Sequence, residues 1–212
     1  MWSMYTIKPF YQKLFRGLAG NWMTPNMATG FGILFSLAVG SAYVLGGGAP
    51  ELGIQARPLL LLLVPIGLAF RMGANALDGM LAREKGLASP LGAVLNEVTD
   101  VVNDVICYGP LWLVPDVPRF ALPSFLLLVF FAEFSGLLGQ AVAGRRRYEG
   151  PLGGKTDRAT WMGLFAFVAA FQPRLMQYLG WYMGLVCVFI LLTAMNRLRL
   201  TVVEASKTEA KP

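Results

Sequence analysis

The sequence predicts an all-α polytopic membrane protein: six transmembrane helices preceded by an N-terminal amphipathic interfacial helix. Three observations carry that expectation. Of 212 residues, 56% are hydrophobic and only 14% are charged, whereas a soluble domain carries about a quarter charged residues. Six apolar segments are long enough to cross about 30 Å of hydrocarbon. The basic residues gather on one side of the topology those segments define. The same composition argues against a cytosolic enzyme, a disordered chain and a nucleic-acid-binding domain, despite a net charge of +6. Histidine is absent from the sequence, which excludes His-ligated zinc, Ser-His-Asp triads and Cys-His dyads. Cys107 and Cys187 lie in apolar runs without metal-ligand spacing and read as packing residues.

The elements follow in order. In residues 1–20, Lys8, Lys13 and Arg16 interrupt the apolar stretch, which argues against a signal peptide. Ile7, Phe10, Tyr11, Leu14, Phe15 and Leu18 recur at steps of three and four, one apolar stripe suited to a membrane surface. The spans are expected at 27–47, 58–81, 91–114, 120–142, 159–173 and 178–195; the second and third carry polar residues in their cytoplasmic halves, and the fifth is short. Six spans put the termini and the loops after spans two and four on one side. That side holds 14 basic residues, including Arg83, Lys85, Arg145, Arg146, Arg147, Lys155 and Arg158; the other holds Arg57, Arg119 and Arg174. The positive-inside rule then places both termini in the cytoplasm. The expected division is an amphipathic helix (1–20), a six-helix membrane domain (21–203) and a polar, frayed cytoplasmic tail (204–212). The tails are too short to fold alone, so no extra soluble domain is expected.

Chemistry is sought where polar residues enter the bilayer, because ionisable groups there are costly. Span two carries Arg71, Asn75 and Asp78 at helical spacing, and span three carries Asn96, Asp100 and Asp104 four apart. Glu97 lies about 100° round the helix from Asn96 and falls outside that group. Two facing polar stripes make an oxygen-lined pocket suited to a hard divalent cation, Mg²⁺ or Mn²⁺. The structural alternative is a buried Arg71–Asp78 pair that fixes helix packing. Glu133 and Gln140 share a face of span four, where packing is the preferred reading. A transporter is disfavoured, because the polar residues gather towards one side of the membrane.

The chain runs Asn75-x2-Asp78-Gly79-x2-Ala82-Arg83-x8-Gly92-x3-Asn96-x3-Asp100. This resembles the motif of the CDP-alcohol phosphotransferase family, Asp-x2-Asp-Gly-x2-Ala-Arg-x8-Gly-x3-Asp-x3-Asp, with asparagine at two aspartate positions, as in a divergent bacterial branch. Thr24-Pro25-Asn26-x2-Thr29 and the six spans are similar too. The resemblance implies transfer of a phosphate-linked group from a CDP-alcohol to an acceptor hydroxyl with release of CMP. Carried over, Asn75, Asp78 and Asn96 occupy metal positions for one or two ions. Asp100 is the general base. Outside the motif, Asp104 lies one turn beyond Asp100, where it offers a replacement charge and completes the candidate ligand set. Gly79, Ala82, Arg83 and Gly92 line the nucleotide site, Asn26 and Thr29 touch the CDP portion, and Lys155 and Arg158 meet the acceptor. The implied donor is CDP-diacylglycerol and the implied acceptor a small alcohol such as glycerol phosphate or inositol phosphate, with serine, or diacylglycerol with a soluble CDP-alcohol as donor, also open. A homodimer in a bacterial inner membrane is implied as well. The competing reading is a non-catalytic CDP-lipid-binding or lipid-binding membrane protein whose metal site has degenerated through Asn75 and Asn96.

Overall fold

The computed structural model describes residues 8–148 and 150–209. Residues 1–7, including Ile7 of the expected stripe, Glu149 of the basic loop, and residues 210–212, including Lys211, lie outside the described residues. Among those described, seven α-helices and short 3₁₀ turns make up the secondary structure: α1 (Lys8–Ala19), α2 (Pro25–Gly47), α3 (Leu63–Glu84), α4 (Pro90–Tyr108), α5 (Ala121–Ala143), α6 (Lys155–Phe171) and α7 (Leu179–Glu209). The fold class is all-α, as the sequence predicts.

Local chemistry sets the helix starts. Thr24 accepts a hydrogen bond from the Met27 amide and Pro25 follows it; Ser89 accepts from the Gly92 amide and Pro90 follows. A side-chain cap with proline in the first turn satisfies an orphan donor where proline's missing N–H costs nothing. At α6, Asp157 Oδ2 accepts from the Gly154 amide at 2.9 Å.

Among the described residues, four helical stretches are long and apolar enough to cross a membrane: Pro25–Gly47, Pro58–Glu84, Ala121–Ala143 and Pro173–Lys207. Two of the expected spans fall outside that set. The α4 helix is crowded with Asn96, Glu97, Asp100, Asn103 and Asp104, and α6 has 17 residues and opens on Lys155, Asp157 and Arg158. The faces turned away from the protein are apolar on α2 (Leu34, Leu37), α5 (Leu127, Phe130) and α7 (Leu185, Val188), as a hydrocarbon surround demands. The core joins Val39, Tyr43, Leu68, Tyr108, Phe125, Met162 and Met183, and Tyr43 donates from its buried hydroxyl to the Met162 carbonyl at 3.1 Å.

Two expectations at the ends change. The stripe on α1 is divided: Phe15 and Ala19 are buried, while Phe10, Leu14 and Leu18 are exposed. The Phe15 ring seats on Phe70 and against Gly73, where a Cβ would come within 2.5 Å of it. The tail expected to fray after 203 instead continues α7 to Glu209. Its Glu, Ala, Ser and Lys residues contain no helix breaker, and Glu204 pairs with Arg147 from the loop after α5.

Candidate active site

The polar stripes of α3 and α4 meet as a ladder. Arg71 donates to Asp104 Oδ1 at 2.6 Å. Asn75 Nδ2 donates to Asp100 Oδ1 at 2.8 Å. With its nitrogen turned inward, the Asn96 amide donates to Asp78 Oδ2 at 2.8 Å, and the Gly79 amide donates to Asp78 Oδ1 at 2.6 Å. The antiparallel register follows from the numbers, as 71 faces 104, 75 faces 100 and 78 faces 96. Each rung sets an N–H donor against a carboxylate.

Two hollows flank the ladder. A groove of about 1020 Å³ is lined by Asp78, Gly79, Ala82, Arg83 and Gly92 from α3 and α4, and by Asn26 and Thr29 from α2. A smaller cavity of about 120 Å³ is lined by Asp100, Glu97, Glu133, Arg146, Lys155 and Arg197. Asn75 and Asn96 border both, whereas Asp78 borders only the groove and Asp100 only the cavity. The residues expected around the nucleotide are thus gathered on one side of the asparagines, with Asp100 and Lys155 on the other. Lys155 forms an ion pair with Asp100.

Two expected residues sit elsewhere. Asp104 is 3% exposed, and its second oxygen accepts from Arg158 at 3.0 Å. Both carboxylate oxygens are therefore engaged by guanidinium groups, and Asp104 does not complete a metal-ligand set. Arg158, expected at the acceptor, is buried at the start of α6 and also donates to Glu133 at 3.1 Å; it borders neither hollow. The pairing of Arg71 with Asp104 also replaces the alternative pair with Asp78. The ions continue as a chain, because Arg146 pairs with Glu97 and lies 3.5 Å from Glu133. Arg71, Asp104, Arg158, Glu133, Arg146 and Glu97 thus alternate in sign from α3 through α6 and α5 back to α4. Buried charges in such a chain each have a partner, which is the condition for tolerating them away from water.

Three residues near the ladder escape a reading of the stripes alone. Glu97 and Glu133 line the small cavity, and their signal was only that they are acids inside expected spans. Gly32 on α2 lies against Asn75, where a Cβ would approach Asn75 Oδ1 to 2.7 Å. Gln140 turns away from the hollows and holds the loop after α5, donating to the Gly144 carbonyl at 3.1 Å and accepting from the Arg146 amide at 2.9 Å.

A model of the CDP-alcohol phosphatidyltransferase family matches residues 22–203. The chain belongs to the CDP-alcohol phosphatidyltransferase family. It is a phosphatidyltransferase, a membrane enzyme of phospholipid biosynthesis. Among family relatives, it is 38% identical over 201 residues to the inner membrane protein YnbA of Escherichia coli K12, covering 93% of this chain and 95% of that one. Its fold resembles that of the Mycobacterium tuberculosis phosphatidylinositol phosphate synthase PgsA1, crystallised with CDP-DAG bound. The TM-score is 0.62 at 22% identity, covering 90% of this chain and 92% of that one. In this phosphatidyltransferase two of the ladder's three side-chain rungs, Asn75–Asp100 and Asp78–Asn96, fall within the segment that resembles the family motif.

Proposed function

We propose that the protein transfers the phosphatidyl group of CDP-diacylglycerol to a small hydroxylated acceptor and releases CMP. The observation that carries this reading is the pair of hollows meeting at Asn75 and Asn96, with Asp78 on the larger side and Asp100 on the smaller. The groove accommodates the nucleotide, with the Arg83 guanidinium near the phosphates and Gly79 and Gly92 allowing close approach to backbone. The acceptor enters the cavity. Asp100 takes its hydroxyl proton, and the oxygen attacks the phosphorus esterified to diacylglycerol. The bond from that phosphorus to the bridging oxygen breaks, and the electron pair leaves on CMP. Lys155, paired with Asp100, orients its carboxylate while the acceptor binds.

The donor set fits one hard divalent ion. The carboxylates of Asp78 and Asp100 supply a charge of −2, and the amides of Asn75 and Asn96 would present oxygen to the ion when turned over. Among the described residues no group of three acidic, cysteine or histidine side chains converges, and Asp104 is held by its arginines. Mg²⁺ or Mn²⁺ bound there would neutralise charge on the diphosphate as CMP leaves.

The enzyme spans the membrane six times, with α4 and α6 crossing as amphipathic helices whose polar faces meet protein. Both termini are cytoplasmic, in a bacterial inner membrane. The membrane domain is 21–203, α1 lies at the interface through Phe10, Leu14 and Leu18, and the chain works as a homodimer. Asp100→Asn tests the assignment of the base. Turnover should fall by roughly 10²- to 10⁴-fold while CDP-diacylglycerol binding to the purified protein stays within about twofold. Equal loss of both would assign Asp100 to binding instead.

A further inference from the structure

The cavity beside Asp100 has a charge pattern of its own. The described residues lining it include three acids, Glu97, Asp100 and Glu133, and three bases, Arg146, Lys155 and Arg197. The bases are committed. Lys155 pairs with Asp100, and Arg146 pairs with Glu97 and Glu133. Arg197 donates to the carbonyls of Ala132 at 2.6 Å and Tyr148 at 3.2 Å. Lys155 and Arg146 are therefore paired with protein acids, and Arg147 of the loop after α5 is joined to Glu204 as well. The lining has no formal charge excess.

A phosphomonoester carries about −1.5 to −2 at neutral pH. Taken out of water, it is stable only against cations free to turn towards it. Here Lys155 or Arg146, on turning, would strand a carboxylate, Arg197 would leave two carbonyls without their donor, and the donor diphosphate adds negative charge across the Asn75–Asn96 wall. A neutral hydroxyl compound meets no such conflict. Its hydroxyls donate to Glu97 and Glu133 and accept from Lys155 and Arg146, so the ion pairs persist.

We infer that the acceptor is a small hydroxylated molecule without net charge, carrying no phosphate, and that Glu97 and Glu133 are the residues that exclude phosphorylated acceptors. This rests on the cavity being the acceptor chamber of the proposed transferase.

The test uses the purified full chain with CDP-diacylglycerol, Mg²⁺ or Mn²⁺, and matched probes: glycerol against glycerol phosphate, inositol against inositol phosphate, and serine. CMP release and calorimetric binding to CDP-loaded protein are read in parallel. At least one unphosphorylated probe should drive CMP release with kcat/KM at least tenfold above every phosphorylated probe. Glu97→Gln and Glu133→Gln should narrow that gap. Glu97, the more exposed of the two, carries the test alone if the Glu133 variant does not fold. Preference for a phosphorylated probe overturns the inference and leaves the transferase intact. If no probe gives CMP, the transferase reading fails and binding decides the inference. Binding of an uncharged probe without its phosphorylated counterpart supports it, and the reverse, or no binding of any probe, overturns it.

Discussion

Asn75 and Asn96 each face an aspartate across the α3–α4 seam, so the seam closes through amide–carboxylate hydrogen bonds. Aspartate at both positions would set carboxylates face to face on two rungs, and like charges so close cannot both stay ionised without a cation between them. The asparagines therefore assemble the site in the absence of a divalent ion and lower its demand for one. Asn75→Asp combined with Asn96→Asp should reduce the Mg²⁺ or Mn²⁺ concentration for half-maximal CMP release at least tenfold. It should also lower the unfolding temperature in chelator. Metal titration and thermal unfolding in detergent check this, and an unchanged metal midpoint contradicts it. The motif spacing made these four residues legible in the sequence. Asp104 was misread because its spacing from Asp100 is visible in the chain, while Arg158, its partner from α6, is 54 residues away. A helical face shows which residues share a direction, and it does not show which charge another helix will bring.

Helix α2 backs the ladder through Gly32. A methyl group there would come 2.7 Å from Asn75 Oδ1 and 3.4 Å from Asn103 Nδ2, so the Asn75 amide must shift and its bond to Asp100 must lengthen. Gly32→Ala is expected to lower kcat by about tenfold, since small displacements in a positioned site are costly. Its unfolding midpoint should stay close to wild type, because the contacts are with polar side chains at the edge of the core. Activity and unfolding measured on the same preparation separate the two effects; parallel collapse of both would make Gly32 a packing residue only. At this scale the sequence was most readable where helices are uniformly apolar, as in α2 and α5. It was least readable at α1, where one stripe serves two surfaces: Phe15 turns to Phe70 and Gly73, while Phe10 and Leu14 face outward. Periodicity records an apolar face and leaves open how packing divides it.

At the scale of the molecule, two amphipathic helices, α4 and α6, place their polar sides against neighbours, while α2, α3, α5 and α7 supply the stretches long and apolar enough to cross a membrane. In the six-span topology we propose, hydrated chemistry sits at one side of the membrane domain, and the 14 to 3 division of basic residues favours the cytoplasm for that side. In a background lacking Cys107 and Cys187, Ser206→Cys should react with an impermeant thiol reagent only after the cytoplasmic face is opened, and Asp116→Cys should react from outside. Labelling of both from one side would remove the six-span topology. The family was legible because the motif is long and its spacing is intact; the acceptor was not, since the residues that line its cavity come from α1, α3, α4, α5, α7, the loop after α5 and the start of α6. The most direct measurement is CMP release by the purified protein from CDP-diacylglycerol, with and without Mg²⁺ or Mn²⁺, across the acceptor panel. The account predicts CMP that depends on both metal and acceptor, accompanied by a new phospholipid and abolished in Asp78→Ala. Bound CDP-diacylglycerol with no CMP from any acceptor would contradict it.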